Sequence, residues 1–178
     1  MDTHVPWLAL NTYPDEILTK PCKEVMEVDG EINQFVHDMA QTMYSCDGIG
    51  LAAPQVGRSL RIIVMDCSDD TTGLKHFINP VIIDSKGRRQ NKEGCLSFPG
   101  LELQVPRFEE VAVKAWDLEG NEFIYDAKGI ESICLQHEID HLDGITFLDR
   151  VSRQQRRHAL RKWEKQKKKN LNHIESEN

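Results

Sequence analysis

Apolar residues follow a helical spacing in the first third of the chain. Between residues 30 and 45 they recur at every third or fourth position, at Ile32, Phe35, Val36, Met39, Met43 and Tyr44. This periodicity predicts a helix with one buried face. Asp29 is a candidate N-cap, because a short carboxylate can accept hydrogen bonds from first-turn amides. Residues 11–24, with two prolines, predict an extended segment with a short turn.

Farther along, runs of β-branched and other apolar residues predict β-strands. These runs occupy residues 60–65, 76–83, 111–116 and 122–125. We expect the second strand to bend at Pro80 and to end in a turn at 84–87, and the last two strands to form a hairpin. Residues 48–57 contain three glycines and a proline, which argues against a regular element there.

The C-terminal part of the chain predicts two more helices. One spans residues 129–142 with Gly144 as a candidate C-cap, and the other spans residues 152–169 with Ser152 as a candidate N-cap. The element order indicates an α+β fold, in which mostly antiparallel sheets surround the helix at 129–142 and an N-terminal and a C-terminal helix flank it.

The composition is that of an ordinary globular protein. Of the 178 residues, 39% are hydrophobic and 29% are charged, which argues against global disorder. No stretch approaches the ~18 apolar residues of a membrane helix, and residues 1–6 lack the pattern of a secretory signal. The five cysteines are irregularly spaced, so we expect no disulfide framework and a cytoplasmic location.

Positive charge is concentrated in the last predicted helix. Residues 150–169 contain ten lysines and arginines and a single acid, although the whole chain has a net charge of -7. At helical spacing, one face can hold Arg153, Arg156, Arg157, Arg161, Lys165 and Lys168. Such a face indicates contact with a polyanion such as RNA, or alternatively a solvated helix that keeps the protein soluble.

The segment Gln136-His137-Glu138-Ile139-Asp140-His141 carries the clearest chemistry. Two histidines four residues apart lie on one face of a helix, so their imidazoles can share one metal ion. Glu138, next to the first histidine, can reach a water at that metal. This HExxH pattern indicates metal-assisted hydrolysis; a chance match on a surface helix is the alternative.

A catalytic metal site usually has three protein ligands and one open position. Asp143 and Asp149 follow the helix, but neither lies in a recognisable third-ligand pattern. Cys95, within Glu93-Gly94-Cys95-Leu96-Ser97, is the better candidate, because a thiolate binds soft and borderline metals. Gly94 would allow the backbone to approach another group closely.

Three segments together resemble the peptide deformylase family. They are residues 48–55 (Gly-Ile-Gly-Leu-Ala-Ala-Pro-Gln), 93–97 and 136–141, in the order and at the separations found in that family. The similarity covers roughly residues 10–150. It implies the following organisation: a single catalytic domain at 1–150, a basic helix at 151–169 and a flexible tail at 170–178.

The resemblance implies removal of the formyl group from the N-terminal formyl-methionine of newly synthesised polypeptides. The implied metal ligands are Cys95, His137 and His141. The ion would make hydroxide available near neutral pH, and Glu138 would transfer the proton to the leaving amine. The Gln55 side chain and the Leu96 backbone N–H would stabilise the oxyanion. Considered alone, Gln55 is more typical of an exposed loop.

The same resemblance implies how the peptide binds. It would add as a strand along the backbone near Ile49, Gly50 and Gly94. The implied methionine pocket is lined by Ile49, Ile130, Ile133, Cys134 and His137. From the residue pattern alone, Ile130, Ile133 and Cys134 are more typical of plain core.

Charged residues near the cysteine add further expectations. Glu93 and Arg107 would form an ion pair that fixes the cysteine loop, unless they are unrelated surface charges. Asp140 either orients a histidine ligand or faces water. Where some family members have an arginine that contacts the peptide, this chain has Glu102, whose carboxylate cannot donate hydrogen bonds.

The resemblance further implies Fe(II) as the metal, with zinc, nickel or cobalt as substitutes, and transient docking of the basic helix on ribosomal RNA. We expect neither membranes nor DNA as partners. Two other interpretations stay open: a zincin-like peptidase that cleaves internal bonds, and an inactive chain with a closed structural zinc and an RNA-binding tail. Glu138 argues against the second, because a structural site has no use for a carboxylate at an open position.

Overall fold

The computed structural model describes residues 8–176, and its side chains are described as far as Lys169. The described residues form three α-helices: α1 (Gly30–Ser45), α2 (Ile130–Leu142) and α3 (Arg153–Ser176). They also form seven strands: β1 (Gly50–Ala52), β2 (Ile62–Met65), β3 (Lys75–Lys86), β4 (Arg89–Cys95), β5 (Phe98–Arg107), β6 (Glu110–Trp116) and β7 (Glu122–Lys128). Short 3₁₀ turns lie at Glu16–Thr19, Ala53–Val56 and Phe147–Asp149.

The strands form two antiparallel sheets. One has five strands in the order β1-β2-β3-β6-β7, and the other is the β4–β5 ribbon. The pairing of β3 with β6 shifts register between Ile78 and Val81, so β3 is irregular around Pro80. This architecture confirms the predicted α+β fold with mostly antiparallel sheets.

Strand β2 is buried on both faces because α1 and α2 cover opposite sides of the sheet. Ile63 and Met65 belong to the core beneath α2, whereas Ile62 and Val64 belong to the core beneath α1. Successive strand residues point to opposite faces, so a strand between two helices requires a continuous apolar run. This packing fixes α2, which carries the histidine motif, against the sheet.

A third apolar cluster joins α3 to the β4–β5 ribbon. Ala159 and Trp163 of α3 are buried in one cluster with Phe98 of β5 and Phe147. Trp163 Nε1 donates a hydrogen bond to Pro99 O at 2.8 Å, which satisfies the one polar group of the indole. Most other described side chains of α3 are exposed, so the helix is attached through one apolar stripe.

Several local predictions are confirmed. Helix α1 has the predicted bounds, and the Asp29 side chain accepts a hydrogen bond from Ile32 N at 2.9 Å. Helix α2 is followed by Gly144 with a φ of 71°, the left-handed conformation that is common just after a helix. Ser152 caps α3 by accepting from Gln155 N at 3.2 Å. All five cysteines are free.

Two predictions about loops are wrong. Residues 84–86 continue β3 in its pairing with β6, and the turn follows at Gly87, which has a φ of 66°. The segment 48–57 contains β1, because Gly50 pairs with Met65 at the edge of an existing sheet. The β4–β5 ribbon was not predicted, since β4 (RQNKEGC) lacks an apolar run.

Helix α3 continues to Ser176, beyond the predicted end at Lys169, because no glycine or proline interrupts it. The division into residues 1–150, 151–169 and 170–178 stays a prediction. The expectation about a secretory signal concerns residues 1–6, which lie outside the described residues, as do 177 and 178 of the expected tail. Among residues 8–176, no helix has both the length and the apolar composition needed to cross a membrane.

Candidate metal centre and its cleft

Helix α2 buries many polar side chains: Gln136, His137, Glu138, Asp140 and His141. Burying a polar group is costly unless it finds a partner. Gln136 finds its partners in the backbone of Phe108, because its Nε2 donates to Phe108 O and its Oε1 accepts from Phe108 N, each at 2.9 Å. The other four lie in a metal-binding cluster and in the charged network that surrounds it.

The three predicted metal ligands lie together. The ligand atoms of Cys95, His137 and His141 are all within 4.8 Å of one another, and Cys95 Sγ is 3.3 Å from His141 Nε2. A sulfur at ~2.3 Å and a nitrogen at ~2.1 Å from one tetrahedral ion are about 3.6 Å apart. Burial lowers the pKa of His141 well below its usual value, which favours the neutral, metal-binding form. The residues therefore fit a single divalent ion.

A register shift in the β4–β5 ribbon determines the direction of the Cys95 side chain. The β4–β5 register shifts between Gly94 and Cys95, and such a shift turns a side chain away from the regular ladder. The prediction that Gly94 permits a close approach stays a prediction: a Cβ there would meet only Leu101 O, at 3.9 Å, so no described residue lies tightly against it. Gly94 instead lines an open cleft.

Glu93 and Arg107 form a buried ion pair behind the metal centre. Arg107 Nε and Nη2 donate to the two Glu93 oxygens at 2.7 and 3.0 Å. Glu93 Oε2 also lies 2.9 Å from His137 Nδ1, which leaves Nε2 of that ring for a metal. Burial by itself would raise the pKa of Glu93, but its hydrogen bonds with His137 and Arg107 lower it below the usual value.

Asp140 neither orients a histidine nor faces water. Its carboxylate is buried and accepts from Arg107 Nη1 at 2.6 Å and from Arg150 Nε at 3.0 Å. Asp140 therefore extends the Glu93–Arg107 pair to the segment that precedes α3. Sequence reasoning did not place Arg150 in this network, because the contact depends on the turn that follows α2.

Glu138 is buried beside the candidate ligands. Its Oε2 has no hydrogen-bond partner among the described residues, and burial raises its pKa to about 7. A Cβ on Gly50 would lie 2.7 Å from Glu138 Oε1, so the glycine leaves the space that this carboxylate occupies. A carboxyl group with one free oxygen can accept and return a proton.

Gln55 is buried, so the interpretation as an exposed loop glutamine is wrong. Its Oε1 accepts from Ala52 N at 2.9 Å, and its Nε2 lies 3.2 Å from Ser97 Oγ. The same Nε2 lies 3.6 Å from Cys95 Sγ, so the amide donor is next to the metal centre. Ser97 belongs to the cysteine segment, but sequence reasoning did not predict a role for it.

An open cavity of about 530 Å³ adjoins the metal centre. Its lining includes every predicted peptide-binding residue and both predicted oxyanion donors: Ile49, Gly50, Gly94, Ile130, Ile133, Cys134, His137, Gln55 and Leu96. Ile133 and Cys134 are buried, whereas Ile49 and Ile130 are 46% and 50% exposed. Exposed apolar side chains beside a concave surface are typical of a ligand-binding site.

Glu102, which stands where some family members have an arginine, forms an ion pair at the edge of the cleft. Lys92, which also lines the cavity, places its Nζ 2.6 Å from Glu102 Oε2. The positive charge at this edge of the cleft therefore belongs to Lys92 of β4, and the Glu102 carboxylate lies beside it. Lys92 was not predicted as a site residue, because only the cross-strand pairing brings it there.

Comparison with known proteins identifies the family. The family model described as Polypeptide deformylase matches residues 7–157. The peptide deformylase of Aquifex aeolicus is 46% identical over 156 residues, which are 86% of this chain and 92% of that protein. The one from Chromobacterium violaceum is 43% identical over 159 residues, which are 89% of this chain and 95% of that protein.

Solved structures agree with the sequence relatives. A peptide deformylase from Legionella pneumophila matches with a TM-score of 0.86 and 41% identity, covering 92% of this chain and 97% of that one. A peptide deformylase from Synechococcus elongatus in complex with actinonin matches with a TM-score of 0.85 and 44% identity, covering 89% of each chain. This chain therefore belongs to the peptide deformylase family of hydrolases.

Proposed function

We propose that this hydrolase removes the formyl group from the N-terminal formyl-methionine of newly synthesised polypeptides and releases formate. The observation that carries this function is the free oxygen of Glu138, which is buried next to the cluster of Cys95, His137 and His141 beside a largely apolar cavity. The relatives and structural neighbours with the same architecture are named peptide deformylases.

The metal we propose is Fe(II), with zinc, nickel or cobalt as substitutes. One thiolate and two imidazoles suit all of these ions, and the choice of iron follows the family resemblance. Bound by Cys95, His137 and His141, the ion supplies the Lewis acidity that makes water nucleophilic near neutral pH.

Glu138 is the proposed acid and base. Its carboxylate takes the proton of the attacking water and returns it to the amine that leaves, so one group serves both halves of the reaction. Gly50 leaves the room for this carboxylate.

Gln55 and Leu96 are the proposed oxyanion donors. When the formyl carbon becomes tetrahedral, its oxygen gains negative charge, which the Gln55 amide and the Leu96 backbone N–H stabilise. The supporting observation is that Gln55 Nε2 is buried 3.6 Å from Cys95 Sγ, so the amide donor already lies beside the proposed metal site.

The peptide is proposed to bind as an added strand. Backbone groups near Ile49, Gly50 and Gly94 pair with it, which leaves the residues after methionine weakly discriminated. The methionine side chain enters the apolar part of the cavity, whose proposed lining is Ile49, Ile130, Ile133, Cys134 and His137. The open space beside Gly94 supports this arrangement.

Formate release from formyl-Met-Ala tests the proposed reaction. Glu138→Gln should abolish activity while metal content is retained, because it removes the proton acceptor without changing the side-chain shape. Glu122→Gln, on exposed strand β7, is the matched control and should retain full activity. Normal deformylation by Glu138→Gln would show that Glu138 is not the acid and base.

The same preparations separate the other two interpretations. A zincin-like peptidase would cleave an internal-bond reporter peptide blocked at both ends, which we expect to stay intact. A closed structural zinc site would hydrolyse neither substrate, even when fully loaded with metal.

We also propose that α3 docks transiently on ribosomal RNA, which places the enzyme in the cytoplasm with formylated nascent chains as its substrates. Ala159 and Trp163 hold one side of α3 against the ribbon. Arg153, Arg157 and Arg161 remain exposed, as do Lys165 and Lys168, so these cations are available to phosphates.

Neutralising exposed cations tests this docking. Exchanging Arg157, Arg161, Lys165 and Lys168 for glutamine should weaken co-sedimentation with ribosomes and reduce its dependence on salt. Exchanging the exposed Lys20, Lys23, Lys86 and Lys128 for glutamine removes the same charge elsewhere and should leave co-sedimentation unchanged. Equal effects of the two sets would exclude α3 as the docking element.

A further inference from the structure

The Ser97 hydroxyl has its hydrogen-bonding roles fixed by its neighbours. Ser97 is fully buried, and its Oγ donates to the Asn11 carbonyl at 2.8 Å. A hydroxyl has a single proton, and a carbonyl can only accept. Toward Gln55 Nε2, at 3.2 Å, Ser97 Oγ must therefore act as the acceptor.

The other end of the Gln55 amide is fixed as well. Gln55 Oε1 accepts the Ala52 backbone N–H at 2.9 Å, and an N–H cannot serve as an acceptor, so the oxygen and nitrogen of the amide cannot exchange places. One amide proton is directed to Ser97. The second is directed toward Cys95 Sγ, a proposed metal ligand, to which Gln55 Nε2 donates at 3.6 Å.

An extended N-terminal segment holds both residues. Asn11 N donates to Gln55 O at 2.7 Å, and Tyr13 N donates to Ser97 O at 2.9 Å. The Tyr13 ring stacks on Phe98, with centroids 5.0 Å apart. Asn11 therefore bonds to the Gln55 backbone through its N–H and to the Ser97 hydroxyl through its carbonyl, so the amide is held in a closed ring of hydrogen bonds.

We propose that Ser97 is a positioning residue that holds the Gln55 amide proton toward the oxyanion. This inference rests on the proposed role of Gln55. Losing an oxyanion donor lowers kcat by about 10²–10³-fold, and losing only its orientation should lower it less, by about tenfold. Because the formyl oxygen accepts this proton most strongly when it carries negative charge in the transition state, KM should change less than about twofold.

A double-mutant cycle in the cobalt-loaded enzyme tests the proposal. Ser97→Ala should lower kcat, whereas Ser97→Thr, which keeps a hydroxyl, should retain most of it. In a Gln55→Ala background, Ser97→Ala should cause no further loss, because there is no amide left to orient. The visible absorption of the thiolate–cobalt centre should be the same in Ser97→Ala and the unchanged enzyme, which shows that the metal site is intact. Thermal unfolding of each variant identifies any that fail to fold.

The outcomes separate this inference from the role of Gln55. If Gln55→Ala loses activity but Ser97→Ala does not, or if the two losses multiply, Ser97 does not act through Gln55. If Gln55→Ala keeps full kcat, the oxyanion role of Gln55 fails and the positioning role fails with it. Should Ser97→Thr not fold, the cycle with alanine decides alone.

Discussion

Two ion pairs of the β4–β5 ribbon have nearly the same length but opposite surroundings. Lys92 Nζ lies 2.6 Å from Glu102 Oε2, and Arg107 Nε lies 2.7 Å from Glu93 Oε1. The side chains of the first pair are 62% and 59% exposed, and those of the second are 3% and 4% exposed. Lys92 and Glu93 are consecutive strand residues, so they point to opposite faces.

This difference shows that burial, rather than distance, decides what an ion pair contributes. In water, each member of the exposed pair has hydration to replace its partner, so such pairs contribute about 0–1 kcal/mol. In the buried pair, removing one member leaves the other charge without water or partner. The buried pair also contacts His137 through Glu93. The face of the ribbon that carries Glu93 and Arg107, here called its inner face, therefore packs against the metal centre.

The largest effect is expected for Arg107→Ala. The substitution leaves Glu93 and Asp140 buried together without a shared cation, and we expect a loss of about 3–5 kcal/mol in the free energy of unfolding. Urea unfolding measures this loss. The control is Arg58→Ala, which breaks an ion pair with Glu31 whose side chains are 36% and 74% exposed, and should lose no more than about 1 kcal/mol. Equal losses would refute the role of burial.

A smaller effect, on metal affinity, is expected for Glu93→Gln. The neutral amide keeps the shape of the side chain, but it no longer supplies a carboxylate to His137 Nδ1 or a charge to Arg107. Losing such a partner of a metal-binding histidine lowers metal affinity by about 10–100-fold. Competition with a chelator measures the affinity, with Glu102→Gln on the same ribbon as the unaffected control. Unchanged metal affinity in Glu93→Gln would mean that groups other than the Glu93 carboxylate orient the His137 ring.

Functional residues on the ribbon could be predicted from the sequence, but the strand β4 that carries them could not. Glu93 and Cys95 lie within one short motif, and their roles follow from the family resemblance. The strand that carries them was missed, because the exposed positions of β4 are polar and resemble a loop. Lys92 was missed for the same reason, since its partner is defined only by cross-strand register.

Long-range contacts within the site were also beyond sequence reasoning. The spacing of His137 and His141 is a local property of a helix, so it could be predicted. By contrast, Ser97 reaches Gln55 only because the N-terminal segment folds back to Asn11, and no periodicity encodes that contact. The local motifs thus identified the reacting groups, while the tertiary fold determines what orients them.

An intermediate case is Arg150, which joins the buried network from its edge. Its side chain is 44% exposed, and Asp140 keeps Arg107 as a second partner when Arg150 is removed. We therefore expect Arg150→Ala to lower the free energy of unfolding by about 1 kcal/mol, less than Arg107→Ala. Urea unfolding of both variants gives the comparison. A loss as large as that of Arg107→Ala would mean that the network fails as a unit.

The smallest effect is expected for the Lys92–Glu102 pair. A double-mutant cycle with Lys92→Met and Glu102→Gln should give a coupling energy below about 1 kcal/mol, because water solvates both charges when the pair is broken. Raising the salt concentration should reduce this coupling further, since exposed charges are screened. The same cycle on Glu93 and Arg107 should be much less sensitive to salt, because ions do not reach the buried pair. If both couplings fall in parallel with salt, the inner face of the ribbon is open to solvent, and its support of the metal centre cannot depend on burial.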